Sequence, residues 1–272
     1  LVLSAAFGFM LHVRKRTRQK YSEACRPVLG NKVDGIAGKL IDLIAVFALL
    51  AGTATTFSLA TPLLAGAISS VTGIPQSTEI GRLTLVILVI VCAIYTFSVY
   101  FGMKGVQLSA ATCTWLFFGL LAYVFFFGGQ TRFIIEEGIT ALGNMTQNFI
   151  GLSTWTDSLR TSSFPQTWTI FYWAYWMVWC VAVPFFIGSI SKGRTLRQVI
   201  LGGYVFGLSG TFTSFIIMGN YGLGLQMHGK LDVLSTYTAD GNLYHAILDI
   251  LGPLPLSKAV LVLLVLCMIT FY

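Results

Sequence analysis

Leu83-Thr-Leu-Val-Ile-Leu-Val-Ile-Val-Cys-Ala-Ile-Tyr-Thr-Phe-Ser-Val-Tyr-Phe101 contains no charged side chain. A hydrocarbon core of ~30 Å is crossed by ~20 residues of helix rising ~1.5 Å each, so this run has the length of one crossing. A transmembrane β-strand alternates lipid-facing apolar residues with polar ones. Here apolar residues follow one another without alternation, which leaves the helix, the other structure that satisfies its own backbone in lipid. The rest of the 272-residue chain agrees: 56% of it is hydrophobic, 10% is charged and the mean hydropathy is +0.79. A typical soluble domain carries about 25% charge. Ten acidic and 17 basic residues do not cover a water-facing surface of this size. A soluble enzyme, a disordered chain and a disulfide scaffold are excluded. The expected fold class is all-α, a polytopic membrane protein.

Working outward, four more complete crossings stand out, at about Leu40–Ile68, Ala110–Gly129, Trp168–Ile190 and Leu196–Met218. The first and last apolar runs, Leu1–Val13 and Lys258–Tyr272, fall short of the ~20 residues a crossing needs. Both read as membrane helices cut part-way, so 1–272 is expected to be a single transmembrane domain truncated at both ends. A signal peptide is excluded by order: its basic residues precede its apolar run, whereas here Arg14, Lys15 and Arg16 follow it.

Charge orients the helices. The stretch after the first run holds Arg14, Lys15, Arg16, Arg18, Lys20, Arg26, Lys32 and Lys39. Loops that alternate crossings bring to the same side hold Lys104, then Lys192, Arg194 and Arg197. The opposite loops hold Glu79, Glu136, Glu137, Asp157, Asp232, Asp240 and Asp249. Basic loops stay cytoplasmic, and this asymmetry accounts for the net charge of +7 without any nucleic-acid partner. The expected setting is a multi-pass protein in a cell membrane, inner or plasma, with the lipid bilayer as its first partner.

Two outer segments are long. Within 131–150, Ile135, Ile139, Leu142, Met145 and Phe149 recur every three or four residues, with Arg132, Glu136, Glu137, Asn144 and Gln147 between them. That spacing describes an amphipathic helix lying along the outer surface. The second, Asn220–Ser257, reads as a Gly-rich polar loop with a short helix at Leu243–Leu251.

The densest chemical signal is Trp168-Thr-Ile-Phe-Tyr-Trp-Ala-Tyr-Trp-Met-Val-Trp179. At about 100° per residue, Trp168, Tyr172, Tyr175, Trp176 and Trp179 fall at about 0°, 40°, −20°, 80° and 20°, a single stripe ~100° wide. Trp179 lies ~16 Å along the axis from Trp168, about half of a ~30 Å core. An interfacial aromatic belt explains Trp168 and Tyr172 but not a ring at that depth. Two readings therefore stand: ordinary packing, or a platform for a cation that lacks hydrogen-bond donors, such as a quaternary ammonium.

The small-residue stretch Gly52-Thr-Ala-Thr-Thr-Phe-Ser58 also has two readings. Small residues let membrane helices approach closely, and the Thr53 hydroxyl is the candidate ligand for a coupling ion. Asp42 sits at a cytoplasmic helix end and reads as solvated, and Pro184 as a kink. The basic turn Ile190-Ser-Lys-Gly-Arg-Thr195 reads as a tether to anionic lipid. Cys25, Cys92, Cys113, Cys180 and Cys267 are isolated, no CxxC occurs, and His12, His228 and His245 are far apart. No metal or cofactor site is expected.

Trp168 to Arg197, the aromatic run followed by Ile-Ser-Lys-Gly-Arg-Thr-Leu-Arg, closely resembles the signature of the betaine/choline/carnitine transporter family. The likeness extends along the chain. His12-Val-Arg-Lys-Arg16 is similar to the end of the family's fourth helix, and Gly52-Thr53 followed by Ser58-Leu59 to its fifth. Gly102-Met-Lys-Gly105 is similar to the loop before its seventh, and Gly143-Asn144 falls in its amphipathic surface helix. The chain thus resembles a fragment from the end of family helix four through most of helix ten.

The resemblance implies an incomplete inverted-repeat fold of the leucine-transporter type, in which Trp168–Ile190 opens the second five-helix half. It implies a secondary active transporter for trimethylammonium solutes such as glycine betaine, choline or carnitine, working by alternating access. Tyr175, Trp176 and Trp179 then contribute to a central site, with Tyr172 on the same stripe and Trp168 nearer the outer entrance. Tyr175 stands where the family usually has tryptophan. Sodium-coupled members carry a hydroxyl residue one turn before the position of Thr53, where this chain has Leu49. Coupling to sodium, to protons or to substrate exchange therefore stays open. Family members are often trimers, so a homotrimer is the expected assembly. The rival readings, a membrane-embedded scaffold or enzyme, would leave the aromatics as packing or require clustered His, Asp, Glu or Cys at membrane depth.

Overall fold

The computed structural model describes residues 2–16, 18, 20–73, 80–100, 103–240 and 243–271. Every regular element among them is helical. Glu79, Phe101, Gly102, Leu1 and Tyr272, which entered the sequence reading, lie outside the described residues. In chain order the α-helices are α1 (Val2–Gly8), α2 (Tyr21–Ala24), α3 (Arg26–Leu29), α4 (Ile36–Thr72), α5 (Ile80–Tyr100), α6 (Met103–Phe127) and α7 (Thr131–Gln147). Then come α8 (Phe149–Thr154), α9 (Phe171–Ile190), α10 (Leu196–Ser214), α11 (Asn220–Met227), α12 (Val233–Asp240), α13 (Leu243–Leu251) and α14 (Ser257–Phe271). Wider π-helical turns extend α1 through Phe9–Val13, lead into α9 over Pro165–Ile170 and join α10 to α11 over Phe215–Gly219.

By length and composition, three of the described helices can cross a membrane: Ile36–Thr72, Gln107–Phe127 and the continuous Leu196–Met227. Leu3–Val13, Leu83–Phe97 and Ser257–Phe271 are apolar but shorter. With α9 at 20 residues, each expected crossing corresponds to a helix. The protein is an all-α polytopic membrane protein. The polar stretch after Met218 differs from expectation, because it continues as α11 and α12 rather than as a loop. Gly222 and Gly224 explain this. A Cβ on the first would lie 2.9 Å from Ile250 Cδ1, and on the second 3.0 Å from the Phe133 ring. Here glycine serves close packing inside a helix, and tertiary contact overrides its low propensity.

The helix ends follow local chemistry. α4 stops at Gly73, whose φ of +78° suits glycine and whose N–H caps the Ser69 carbonyl at 2.8 Å. α10 opens on a reciprocal capping box: Gln198 Oε1 accepts from Thr195 N–H at 2.9 Å, and Thr195 Oγ1 from Gln198 N–H at 3.2 Å.

Two compact units divide the chain: Leu1–Thr56 with Asn148–Thr211, and Phe57–Gln147 with Phe212–Tyr272. The second holds a continuous apolar core. Leu120 and Val124 of α6, Ile134 of α7, Tyr221 and Leu225 of α11, Leu248 and Leu251 of α13, and Val260 of α14 are all buried together. Burying one such side chain stabilises by ~1.5–3 kcal/mol. α6 and α14 also exchange polar contacts, with Ser109 Oγ donating to the Thr270 carbonyl at 2.9 Å.

The first unit is held differently. α1 and α9 touch backbone to backbone: a Cβ on Gly188 would lie 3.0 Å from Gly8 N, and one on Gly8 3.0 Å from Ser191 Oγ. The last-turn carbonyl of Gly188, which lacks a helical donor, accepts from His12 Nε2 at 2.8 Å and from Ser191 Oγ at 2.7 Å. Between α1 and α4 a polar knot ties the chain. Arg26 forks onto Glu23 at 2.8 and 2.9 Å and onto Asp34 at 2.9 and 2.8 Å. The Arg26 hydrogen bonds hold both carboxyls below the usual range. Asp42 accepts from the N–H and the hydroxyl of Ser22, each at 2.9 Å. It is a structural acceptor rather than a solvated end charge.

Candidate functional site

The aromatic stripe starts in a loop built by one carboxylate. Asp157 is 6% exposed. It accepts from Thr161 N–H and Oγ1 at 3.2 and 3.0 Å, from Ser162 N–H and Oγ at 2.8 and 3.0 Å, and from Ser163 N–H at 3.2 Å. These donors, the Ser162 N–H foremost, push its pKa down to about 2. The knot fixes residues 157–163 immediately before Pro165, which sits in the first turn, where its missing N–H costs nothing. The helix then runs through Pro184 to Ile190.

On that helix the rings form a row. Trp168 stacks on Tyr172 with centroids 6.0 Å apart and planes 9° apart. Tyr172 meets Tyr175 edge-on at 6.0 Å, and Tyr175 meets Trp179 edge-on at 6.2 Å. Phe171 stacks on Tyr175 at 6.0 Å and 16°. The structure therefore brings together Trp168, Tyr172, Tyr175 and Trp179. Trp176, at the edge of the stripe, is 64% exposed and makes no ring contact with the described residues. Angular spacing alone did not single out Phe171.

A second helix fixes the row. A Cβ on Gly52 would lie 2.8 Å from Val178 Cγ1, so the glycine sets the approach of α4 to α9. One turn further, Thr56 Oγ1 lies 2.7 Å from Tyr175 Oη and 3.0 Å from the Gly52 carbonyl. A hydroxyl has one proton. Thr56 gives its own to the carbonyl, so Tyr175 donates to Thr56. The Tyr175 hydroxyl is thereby engaged, and the residue offers its ring face. Thr53 sits on the same helix, three residues before Thr56, with Oγ1 donating to the Leu49 carbonyl at 2.9 Å. The Thr56 link was missed in the sequence because 119 residues separate it from Tyr175.

Chemically, the row offers electron-rich ring faces, which attract a cation. A family model described as BCCT, betaine/carnitine/choline family transporter, matches residues 1–272. A protein of Desulfitobacterium hafniense named probable glycine betaine transporter is 33% identical over 207 residues, 75% of this chain and 40% of that protein. A protein of Acinetobacter baumannii named carnitine transporter is 30% identical over 257 residues, 94% of this chain and 46% of that protein. The chain thus spans less than half the length of these relatives. With its whole length matched by the family model, the chain belongs to the betaine/carnitine/choline transporter family.

Proposed function

We propose that the full-length protein is a secondary transporter of a trimethylammonium solute such as glycine betaine, choline or carnitine, held on the aromatic row of α9. The observation that carries this reading is the row itself, with Tyr175 turned ring-first by Thr56. A trimethylammonium group has no N–H to donate, and each ring face contributes ~0.5–2 kcal/mol to holding it. Tyr175, Trp176 and Trp179 form the central part of the site, Tyr172 continues it, and Trp168 marks its outer end. Glycine betaine and carnitine, named in the two relatives, share this group. The protein sits in the plasma or inner membrane and works by alternating access within an inverted-repeat fold.

The same region supports a reading of coupling. Leu49 offers no side-chain oxygen one turn before Thr53, and a dehydrated sodium ion needs several oxygen ligands. The protein therefore works by substrate exchange or with a single sodium ion. Uptake of radiolabelled glycine betaine, choline and carnitine into proteoliposomes tests both parts. Saturable uptake of at least one compound, stimulated by internal substrate, is expected. A folded protein that takes up none of the three overturns the transport reading, and dependence on more than one sodium ion overturns the coupling reading.

A further inference from the structure

Two cysteines 154 residues apart in sequence meet between α6 and α14 of the second unit. Cys113 Sγ donates to the Cys267 carbonyl at 3.6 Å, and Cys267 Sγ donates to the Cys113 carbonyl at 3.8 Å. The contact is reciprocal, so both Cβ–Sγ bonds cross the same gap at one level. A turn of helix away, Ser109 Oγ donates to the Thr270 carbonyl at 2.9 Å. Residues thus pair in opposite order along the two helices, 109 with 270 and 113 with 267, as in an antiparallel pair whose side chains reach the facing backbone.

Short polar side chains on a helix commonly bond back to their own turn. Thr112 and Thr114, which flank Cys113, donate to the carbonyls of Leu108 and Ala110. Cys180 on α9 donates to Met177 of its own helix. Cys113 and Cys267 instead turn toward one another. Cysteines whose Cβ vectors point apart are not bridged without backbone movement, and this pair has the opposite arrangement. It also lies deep. Cys113 stands ten residues into α6 from Met103, ~15 Å along the axis and about half of a ~30 Å hydrocarbon core. Cys267 is 6% exposed. An oxidant that reaches these thiols is soluble in lipid.

We propose that Cys113 and Cys267 form a reversible disulfide whose oxidant is a lipid-soluble quinone. Two S–H bonds break and one S–S bond forms. The two protons and two electrons pass to the quinone oxygens, and a quinol leaves. Apolar surroundings disfavour a thiolate, and a proton handed directly to the quinone avoids forming one free in the membrane. The bond makes α6 and α14 one covalent piece and ties the stability of the second unit to the oxidation state of the bilayer. It stands independently of the transport reading.

The test uses the full-length protein, reduced and then held without oxygen in phosphatidylcholine vesicles with a short-chain ubiquinone analogue. Digestion without reductant and mass spectrometry read the products. A peptide joining Cys113 to Cys267 is expected, with one quinol formed per link, while Cys25, Cys92 and Cys180 stay open to alkylation once the protein is unfolded. The thermal midpoint should rise by roughly 5 °C and return after treatment with tributylphosphine, a lipid-soluble reductant. Cys113→Ala and Cys267→Ala should each abolish both the link and the rise. Both thiols still free after exposure to the quinone overturns the proposal, and the pair is then packing alone. So does a quinone-induced rise of the same size in either alanine variant. If an alanine variant does not fold, alkylation of the unfolded parent protein before and after the quinone carries the comparison, because the link removes Cys113 and Cys267 together.

Discussion

Tyr221 and Tyr175 are the same residue put to opposite uses, one in each unit. Tyr221 is 1% exposed and walled by Leu, Ile and Val side chains of several helices. Gly128 leaves room for its ring, because a Cβ there would lie 2.7 Å from it. Tyr175 is half-buried in a row of rings, stacked on Phe171 and tied through its hydroxyl to Thr56. Their surroundings differ in the same way. The second unit closes on interlocking apolar side chains, which fill their own space. Glycines set close approaches in both, but in the first unit those at Gly8, Gly52 and Gly188 stand beside interhelical hydrogen bonds. Contacts of that kind use little side-chain volume, so they hold helices together while leaving aromatic faces open. A ring packed on every side is architecture; a half-buried ring held by its hydroxyl and by neighbouring rings is the kind on which the proposed binding rests.

The largest expected effect breaks the comparison on the packed side. Leu251 is fully buried, and Leu251→Ala should lower stability by ~2–5 kcal/mol, the cost of the lost side chain plus the cavity it leaves. The thermal midpoint in detergent measures this. Affinity of the remaining folded protein for radiolabelled glycine betaine should be unchanged, and a parallel loss of affinity would erase the contrast between the units.

Overpacking the glycine contact comes next. Gly52→Ala places a methyl 2.8 Å from Val178 Cγ1 and should cost ~1–3 kcal/mol. Adding Val178→Ala should return most of that. If the double variant is no better than the single one, the approach of α4 to α9 does not depend on this contact.

Much of this architecture was legible in order along the chain. Apolar runs of crossing length, uncharged but for Asp42, gave α4, α5 and α6, and the helix expected at Leu243–Leu251 forms over those same residues. Period also put Trp168, Tyr172, Tyr175 and Trp179 on one face, because spacing within one helix is a local property. Partners distant in sequence were not legible: nothing near Tyr175 names Thr56, and nothing near Gly222 names Ile250. Two local signals were present and went unread. Thr195-Leu-Arg-Gln198 is a capping box that a reading of charge alone passes over. Asp157 with Thr161-Ser162-Ser163 is an acidic residue followed by short hydroxyl side chains, the composition of a side-chain-closed turn.

The open side is sharpened by comparing two tryptophans. Trp179 belongs to the row and Trp176 stands at its edge. Each replacement by Leu removes one ring and should weaken trimethylammonium binding by ~1 kcal/mol, with expression retained. Equilibrium binding of labelled substrate to the purified full-length variants measures it. An unchanged constant for Trp176→Leu beside a loss for Trp179→Leu would confine the site to the row.

A smaller effect is expected from the hydroxyl alone. Tyr175→Phe keeps the ring and removes the donor to Thr56, a change worth ~0.5–1.5 kcal/mol of stability. On the proposed reading the ring face binds, so affinity should fall by less than in either tryptophan variant. A loss as large as theirs would mean that the hydroxyl itself meets the substrate.

Near neutral pH the smallest effect is that of pH itself on the loop that heads α9. The Asp157 carboxyl titrates at about 2 in the folded protein, against about 3.9 in an unfolded chain. The folded value is the lower one, so the unfolded state takes up its proton first as pH falls. The carboxylate therefore stabilises the loop fully above about pH 4, and that contribution is lost as pH drops from there through about 2. Hydrogen exchange at Ser162 and Ser163, whose N–H groups point at the carboxylate, should be flat from neutral pH to about 4 after correction for intrinsic rates. Protection should then collapse over the next two units. The amides around Leu251 report separately, since the described residues of that apolar cluster include no carboxylate. An Asp157→Asn protein should have weaker protection at neutral pH and no such acid step. Persistence of the step in that variant would assign it to another carboxylate and leave the loop held by something other than Asp157.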